Sequence, residues 1–95
     1  MSKESRAAEI QDAIRRVLFY DWDPIGIADA EWPEDEYDAY IAPVYRILVG
    51  SRSVEDLVRY LRSVAVERMG VGGPNDIKLR NIAAKLLSLD VKIGE

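Results

Sequence analysis

"SVEDLVRYLRSVA", residues 53–65, is the stretch that decides the fold. Its apolar residues recur three and four positions apart, as they do along one face of an α-helix. That face consists of Val54, Leu57, Val58, Leu61, Val64 and Ala65. Ser53 is typical of an N-cap, Asp56 stands in the capping-box position, and Gly70 is typical of a helix end. The stretch therefore predicts an amphipathic helix with one buried face.

The same apolar spacing predicts three more helices, one after this stretch and two before it. Beyond a glycine- and proline-containing linker, a helix is expected over roughly 76–89. The segment 33–49 starts with a proline, continues with an acidic first turn and is followed by a glycine, all of which suit a helix. Nearer the N-terminus, a helix capped by Ser5 should end around 19–21, because Pro24 disfavours helical geometry in the residue before it.

Pro43 lies inside the second of these helices. An interior proline removes one backbone hydrogen bond and leaves a carbonyl, here that of Ala39, without its partner, at a cost of about 3 kcal/mol. The segment should therefore be kinked there or divided into two shorter helices. No segment of useful length alternates with a period of two, so no strand is predicted. The predicted fold is all-α: a compact, four-helix bundle-like single domain over 1–95, with the second helix kinked at Pro43.

The chain contains no cysteine, histidine or threonine. This excludes disulfides, thiol nucleophiles, zinc–thiolate sites, and imidazole as a general base or metal ligand. Acid–base chemistry would depend on carboxylates, lysine, tyrosine or serine. We therefore predict a protein that is not an enzyme, with no catalytic residue, no metal ligand and no cofactor.

Location is predicted from the N-terminus and from hydropathy. The first nine residues, MSKESRAAE, lack the apolar region of a signal peptide, and no long apolar run suggests a membrane span. The absence of cysteine favours a reducing compartment. These features predict a cytoplasmic protein without a membrane partner.

Charge is distributed unevenly along the chain. Eight acidic residues and no lysine or arginine lie within 17–45, whereas the remainder carries nine acidic and thirteen basic residues. The net charge of −4 is thus −8 in that segment and +4 elsewhere. Such asymmetry favours a basic protein partner or internal pairing, and it disfavours binding to nucleic acid.

The segment "DWDPIGIADAEW", residues 21–32, contains part of the ligand pattern of a calcium-binding loop. Four of its positions fit that pattern, but tryptophan stands where the loop requires a bidentate glutamate. The alternative is a helix-terminating turn that closes the end of the core, and it is preferred. The residues assigned to that structural motif are Trp22, Asp23, Pro24 and Gly26, with Tyr37.

Two further features concern charged residues on predicted helices. Glu34 and Asp38 share a helix flank, yet the first turn of a solvated helix keeps carboxylates ionised and does not separate their pKa values as catalysis requires. Arg68 lies within the apolar arc of the third helix, where an arginine must pair or extend to solvent. We predict a structural ion pair from Arg68 to an acid of the segment, the candidates being Asp21, Asp23, Asp35 and Asp38.

Four short motifs carry a resemblance to a known family: WDPIGI (22–27), DEYDAY (35–40), YL (60–61) and ERMG (67–70). Together they resemble a family of small bacterial proteins of unknown function, often called YugE-like. The similarity spans roughly residues 10–70. It implies a bacterial protein with a small all-helical fold and no assigned activity. Some such single-domain proteins look similar to immunity partners of bacterial toxins.

The leading hypothesis for function is binding to an unidentified, basic protein partner through the acidic segment 21–38. The residues proposed to contact the partner are Glu31, Trp32, Asp35, Glu36 and Asp38. Tryptophan and tyrosine are enriched at binding hot spots, but the same aromatics could instead belong to the core. The alternatives are a divalent-ion-binding protein or enzyme built on carboxylates, a toxin-immunity partner, and homo-oligomerisation through Val66 and Phe19, which lie off their apolar faces.

Overall fold

The computed structural model describes residues 3–23, 33–68, 70 and 75–91; most of these residues are helical and none of them lies in a strand. The four α-helices are α1 (Lys3–Arg16), α2 (Ile41–Val49), α3 (Val54–Ser63) and α4 (Asp76–Leu87). Val17–Trp22 and Val64–Arg68 are π-helical, and Glu34–Tyr40 is a 3₁₀-helix. The predicted all-α class is confirmed.

Helix α3 begins as its sequence predicts, but it ends at Ser63 and continues as the π-helix Val64–Arg68, whereas the prediction continued the helix to Gly70. The hydroxyl of Ser53 accepts a hydrogen bond of 3.2 Å from the backbone N–H of Asp56, which caps the helix. Leu57 and Leu61 are fully buried. Asn75 caps α4 in the same way, because its side-chain oxygen accepts a 2.7 Å hydrogen bond from the backbone N–H of Lys78. These two capped helices pack against each other.

The N-terminal helix differs from its prediction at both ends. Helix α1 already begins at Lys3, so Ser5 lies inside the helix and its assignment as the N-cap is wrong. From Val17 the chain continues as a π-helix, whose i→i+5 hydrogen bonds widen the turn. The wider turn brings Phe19 into the core, with only 3% of its surface exposed, so the expectation that Phe19 is available for oligomerisation is wrong. Asp23 ends the segment in a left-handed conformation with φ of 32°.

The predicted second helix is divided into two. Pro33 immediately precedes the 3₁₀-helix, and Tyr37 inside that segment has a non-helical backbone with φ of −98° and ψ of 15°. Helix α2 follows, and Pro43 is its third residue. A proline is tolerated there, because the first N–H groups of a helix have no intrahelical partner. Gly50 ends α2; a Cβ atom at this position would approach the carbonyl oxygen of Arg46 to 2.8 Å.

The core is formed by the buried faces of all four α-helices together with the irregular helical segments. The first π segment contacts α1, α4 and the 3₁₀-helix, so it lies at the centre of these contacts. Trp22 and Tyr37 join the aliphatic core, with 1% and 2% of their surfaces exposed. Val91, beyond α4, is buried as well. The aromatic residues of the irregular segments therefore complete a core whose larger part is aliphatic.

Candidate functional site

The acidic segment contains both inward-facing and exposed carboxylates. Asp38 belongs to the first group, because Arg15 donates two hydrogen bonds to it: Nε to Oδ1 at 2.9 Å and Nη2 to Oδ2 at 2.8 Å. This two-point contact joins the end of α1 to the 3₁₀-helix. Bidentate pairing of this kind fixes orientation as well as charge. Asp38 therefore has a structural partner inside the protein.

The pair with Asp38 affects the charge state of Arg15. The hydrogen bonds from Arg15 to Asp38 raise the pKa of the guanidinium further above its ordinary value, although partial burial opposes that shift. Asp12 adds a second carboxylate at 3.2 Å from Arg15 Nη1. The apolar pattern places Arg15 away from the buried face, so sequence reasoning missed this pair. Its only local signal is Asp12, one helical turn earlier.

Asp23 also faces another part of the protein. The hydroxyl of Tyr37 donates a hydrogen bond of 2.8 Å to Asp23 Oδ1. The ring of Tyr37 lies 5.4 Å from that of Trp22 at an interplanar angle of 55°. Trp22 in turn contacts Tyr40 edge-to-face at 5.9 Å. Among the described residues, the buried indole N–H of Trp22 has no hydrogen-bond partner. The predicted structural motif thus brings together Trp22, Asp23 and Tyr37.

Asp21 is engaged at the opposite side of the first π segment. Its carboxylate pairs with Lys85 of α4 at 2.9 Å. Asp21 and Asp23 are therefore directed to different partners, one on α4 and one on the 3₁₀-helix. In this arrangement the two carboxylates do not share a site.

Asp35 and Glu36 are the exposed members of the acidic segment that the structure describes. They lie in the first turn of the 3₁₀-helix. Within the described part of the chain, neither side chain forms a hydrogen bond or an ion pair. Their negative charges are therefore available to solvent or to another molecule.

Several residues of the predicted site lie outside the described residues. They are Pro24, Gly26, Glu31 and Trp32, together with the side chain of Arg68. The predicted ion pair of Arg68 is accordingly untested and stays a prediction. Of its four candidate partners, Asp21 and Asp38 form ion pairs with Lys85 and Arg15.

A second polar cluster joins α3 to α4. Arg62 pairs with Asp76, and Arg80 pairs with Glu55 at 3.2 Å. A hydrogen bond from the backbone of Glu55 itself and another from Arg80 lower the pKa of the Glu55 carboxyl. Positive and negative groups alternate in this cluster and neutralise one another. The cluster therefore has no excess of positive or negative charge, and it links α3 to α4.

A mostly apolar groove with a volume of about 280 Å³ lies between α1 and α2. It is lined by Ala7, Ile10, Gln11, Ile14, Asp38, Ile41, Ala42 and Tyr45. Asp38 stands at its rim, which places one end of the groove beside the acidic segment. The sequence signal for the groove is a small residue on each helix, Ala7 and Ala42, where larger residues would fill the space.

In the described ranges, no three carboxylates are grouped so that they could hold a metal ion. No described helix has the length and apolar character needed to cross a membrane. Comparisons with protein-family models, with curated proteins and with solved structures found no match.

Proposed function

We propose that this protein is a non-enzymatic protein-binding module that recognises a basic partner through the exposed acids of the segment 21–38. Asp35 and Glu36 are the described members of that surface, and Glu31 and Trp32 complete it in the proposal. In this proposal the carboxylate of Asp38 stabilises the fold and does not contact the partner. It stands at the edge of the surface and holds the 3₁₀-helix to α1 through Arg15.

The observation that supports this proposal is the division of the acidic segment. Internal pairing accounts for Asp21, Asp23 and Asp38. It does not account for Asp35 and Glu36, which are adjacent, of like charge and exposed. Like charges at neighbouring positions do not stabilise the fold, beyond their interaction with the positive end of a helix. Complementary charge on a partner accelerates association and selects against wrong partners.

The aromatic residues have a supporting role in this proposal. Tyr37 is buried and Tyr40 is half-buried against the core, so they hold the surface in place. Contact with the partner then depends on the acids and on Trp32. Association through a charged rim is sensitive to salt, because exposed charges are screened over about 8 Å at physiological ionic strength.

A carboxylate-based ion site or active site has less support. Asp21 and Asp23 would have to leave Lys85 and Tyr37 before they could share an ion. A role as a toxin-immunity partner is a special case of binding to a basic protein, and it is carried only by the resemblance to YugE-like proteins. That resemblance also motivates the proposed bacterial origin, and the sequence features motivate the cytoplasmic location.

We also propose that the helices form one four-helix bundle-like domain over 1–95, and that Pro43 causes the break in its second helix. The position of the break supports the second statement. A proline excludes the hydrogen bond to the carbonyl four residues earlier, here that of Ala39, so irregularity is expected before the proline. The change from a 3₁₀-helix to an α-helix at Ile41 lies within that interval.

Affinity capture from the native host tests the proposed function. The bait is the wild-type chain, and the test variant combines Asp35→Asn with Glu36→Gln, which removes two charges from exposed side chains and leaves the core intact. Glu67→Gln is the control, since Glu67 is an exposed acid outside the segment. A partner that is lost with the double variant and kept with the control supports the proposal. A partner that binds all three proteins equally well would exclude the acidic surface.

A further inference from the structure

The groove between α1 and α2 identifies the kind of partner that the acidic surface recognises. We propose that this groove docks an amphipathic helix of the partner, with apolar residues entering the groove and basic residues at the end that meets Asp35 and Glu36. This inference rests on the proposed function, and it specifies which surface and which chemistry perform it.

The shape of the groove follows from side-chain size. Ile10, Ile14 and Ile41 form its floor, and each is less than a tenth exposed. Ala7 and Ala42 leave space above that floor, because their side chains end at Cβ. Gln11 and Tyr45 are longer and form walls beside it. The result is an open apolar groove that follows the direction of two helices.

Its open shape favours a helix over a small molecule. Pockets that bind drug-sized ligands usually measure about 300–1,000 Å³ and enclose most of the ligand's surface. This groove is about 280 Å³ and is open to solvent. An amphipathic helix needs only an apolar groove for residues at i, i+3, i+4 and i+7.

The charge at one end of the groove favours a basic helix. Asp38 lies at the rim, and the Cα atoms of Glu36 and Asp35 lie within at most about 7 Å and about 11 Å of its Cα, given the length of an extended chain. These distances are comparable with the screening length of about 8 Å at physiological salt. A positive side chain that reaches this end of the groove is therefore attracted by both carboxylates.

The neighbouring arginines do not cancel this charge. The ion pairs of Arg15 and Arg16 go to Asp12 and Asp38. Among the described residues, Asp35 and Glu36 have no basic side chain paired with them. At the other end of the groove, exposed Arg46 follows Tyr45 in the chain. The charges along the groove thus change sign, which favours a partner helix whose basic residues are grouped at one end.

A second copy of this chain is a poorer occupant. Each copy carries a net charge of −4, so two copies repel each other. In addition, a second copy would place its own negative charges against the acidic end of the groove. It would avoid this only by presenting a basic helix there. Like-charge juxtaposition at an interface is unfavourable.

Binding of designed peptides to the intact protein tests the inference. The probes are amphipathic helical peptides of about 15 residues, or roughly four turns. Each has leucines at i, i+4 and i+7, with lysines grouped at its N-terminal end in one peptide and at its C-terminal end in another. A matched peptide carries glutamate in place of each lysine. Backbone amide NMR signals of Ala7, Gln11, Ala42 and Tyr45 report occupation of the groove.

Two variants distinguish peptide binding in the groove from binding elsewhere on the surface. Ala42→Gln fills the groove from an exposed position, and Ala84→Gln makes the same change on exposed α4 surface away from it. At least one lysine peptide should produce saturable shifts at the groove. Ala42→Gln should weaken its affinity about tenfold, as expected for the loss of an apolar anchor, and Ala84→Gln should leave it unchanged. Combining Asp35→Asn with Glu36→Gln should weaken it about three- to tenfold.

Three results would overturn the inference. They are the absence of saturable groove shifts with either lysine peptide, an affinity that Ala42→Gln does not change, and a dimer in light scattering that Ala42→Gln dissociates. The proposed function is judged separately, by capture of the native partner. A native partner that depends on Asp35 and Glu36 but tolerates Ala42→Gln would preserve the function and exclude the groove.

Discussion

The pair α3–α4 and the irregular helical end of the molecule both contribute buried residues to the core, but by different means. In α3 and α4 each helix starts at a side-chain cap, from Ser53 or Asn75, and buries residues at helical spacing. In the irregular end, formed by 17–23 and 33–40, the helices change pitch and their contacts are distant in sequence. Local sequence preferences thus suffice to form α3 and α4, whereas the irregular end depends on aromatic packing and long-range hydrogen bonds.

The irregular end also carries the features that bear on function. Its π-helix and 3₁₀-helix are held together by the Tyr37–Asp23 hydrogen bond and by contacts between aromatic rings. Its Asp38 anchors it to α1. These contacts leave Asp35 and Glu36 at the surface, beside the groove. The irregular helical end therefore carries the exposed charges on which the proposed function depends.

The largest effect is expected at the centre of the irregular end. Trp22→Ala should lower the free energy of unfolding by about 3–5 kcal/mol, because it leaves a cavity where a fully buried ring packs against Tyr37 and Tyr40. Urea denaturation followed by far-ultraviolet circular dichroism measures this change. Trp22→Phe should cost less, since it keeps a ring and removes an indole N–H that has no partner among the described residues. Equal losses for the two variants would contradict the packing argument.

The next effect tests the long-range hydrogen bond. Tyr37→Phe should destabilise the protein by about 1.5 kcal/mol, because it removes the hydroxyl that donates to the Asp23 carboxylate. Tyr45→Phe is the control, as Tyr45 is only half-buried and lies on α2. Thermal denaturation of both variants is the measurement. If the two variants melt alike, the Asp23 contact contributes nothing to holding this end together.

A smaller effect is expected from the caps of the regular region. Ser53→Ala and Asn75→Ala should each cost about 1 kcal/mol, since each leaves one backbone N–H at a helix start without its partner. Ser88→Ala, after the end of α4, provides a comparison. Losses of similar size at both caps would show that α3 and α4 are stabilised locally, as the comparison between the regions requires. A loss at neither cap would remove that distinction.

The ion pair that joins α1 to the 3₁₀-helix should contribute less still. The side chains of Arg15 and Asp38 are 27% and 35% exposed, so water and salt screen their attraction. A double-mutant cycle with Arg15→Gln and Asp38→Asn should give a coupling energy of about 0.5–1 kcal/mol. The coupling should decrease as salt is added. A salt-independent coupling would indicate that the pair is shielded more completely than its exposure implies.

The smallest expected effect is on the pH dependence of stability, and it arises from Glu55, which links α3 to α4 through Arg80. The pKa of Glu55 is lowered from its ordinary value of 4.5 in the folded protein, so its ionised form stabilises the fold. That contribution is present above the unfolded pKa and is lost as pH falls through the folded pKa. Glu55→Gln should therefore make stability slightly less sensitive to acid than in the wild type. Parallel stability–pH curves for the two proteins below pH of about 4.5 would contradict the assignment.

Sequence reasoning predicted the regular region well. Ser53 capped the third helix as expected, and the residues at its helical spacing are buried, because a cap and its helix lie within one short stretch of chain. It failed where geometry depended on distant residues. Phe19 lies off an α-helical stripe and becomes buried only when the chain adopts a π-helix. Similarly, Arg15 carries no signal in its own helix that would identify Asp38, 23 residues away, as its partner.

The sequence by itself determined the all-helical class, the start of α3 and the sign of the charge on the segment 21–38, because spacing, capping and composition are local properties. Only the tertiary structure decided which acids are engaged by the protein and which remain exposed. A carboxylate is engaged by whichever basic or hydroxyl group the fold brings within about 3 Å, and that proximity depends on how separate helices pack. The groove beside Asp38 has the same origin, since two alanines on different helices form it only when those helices lie side by side.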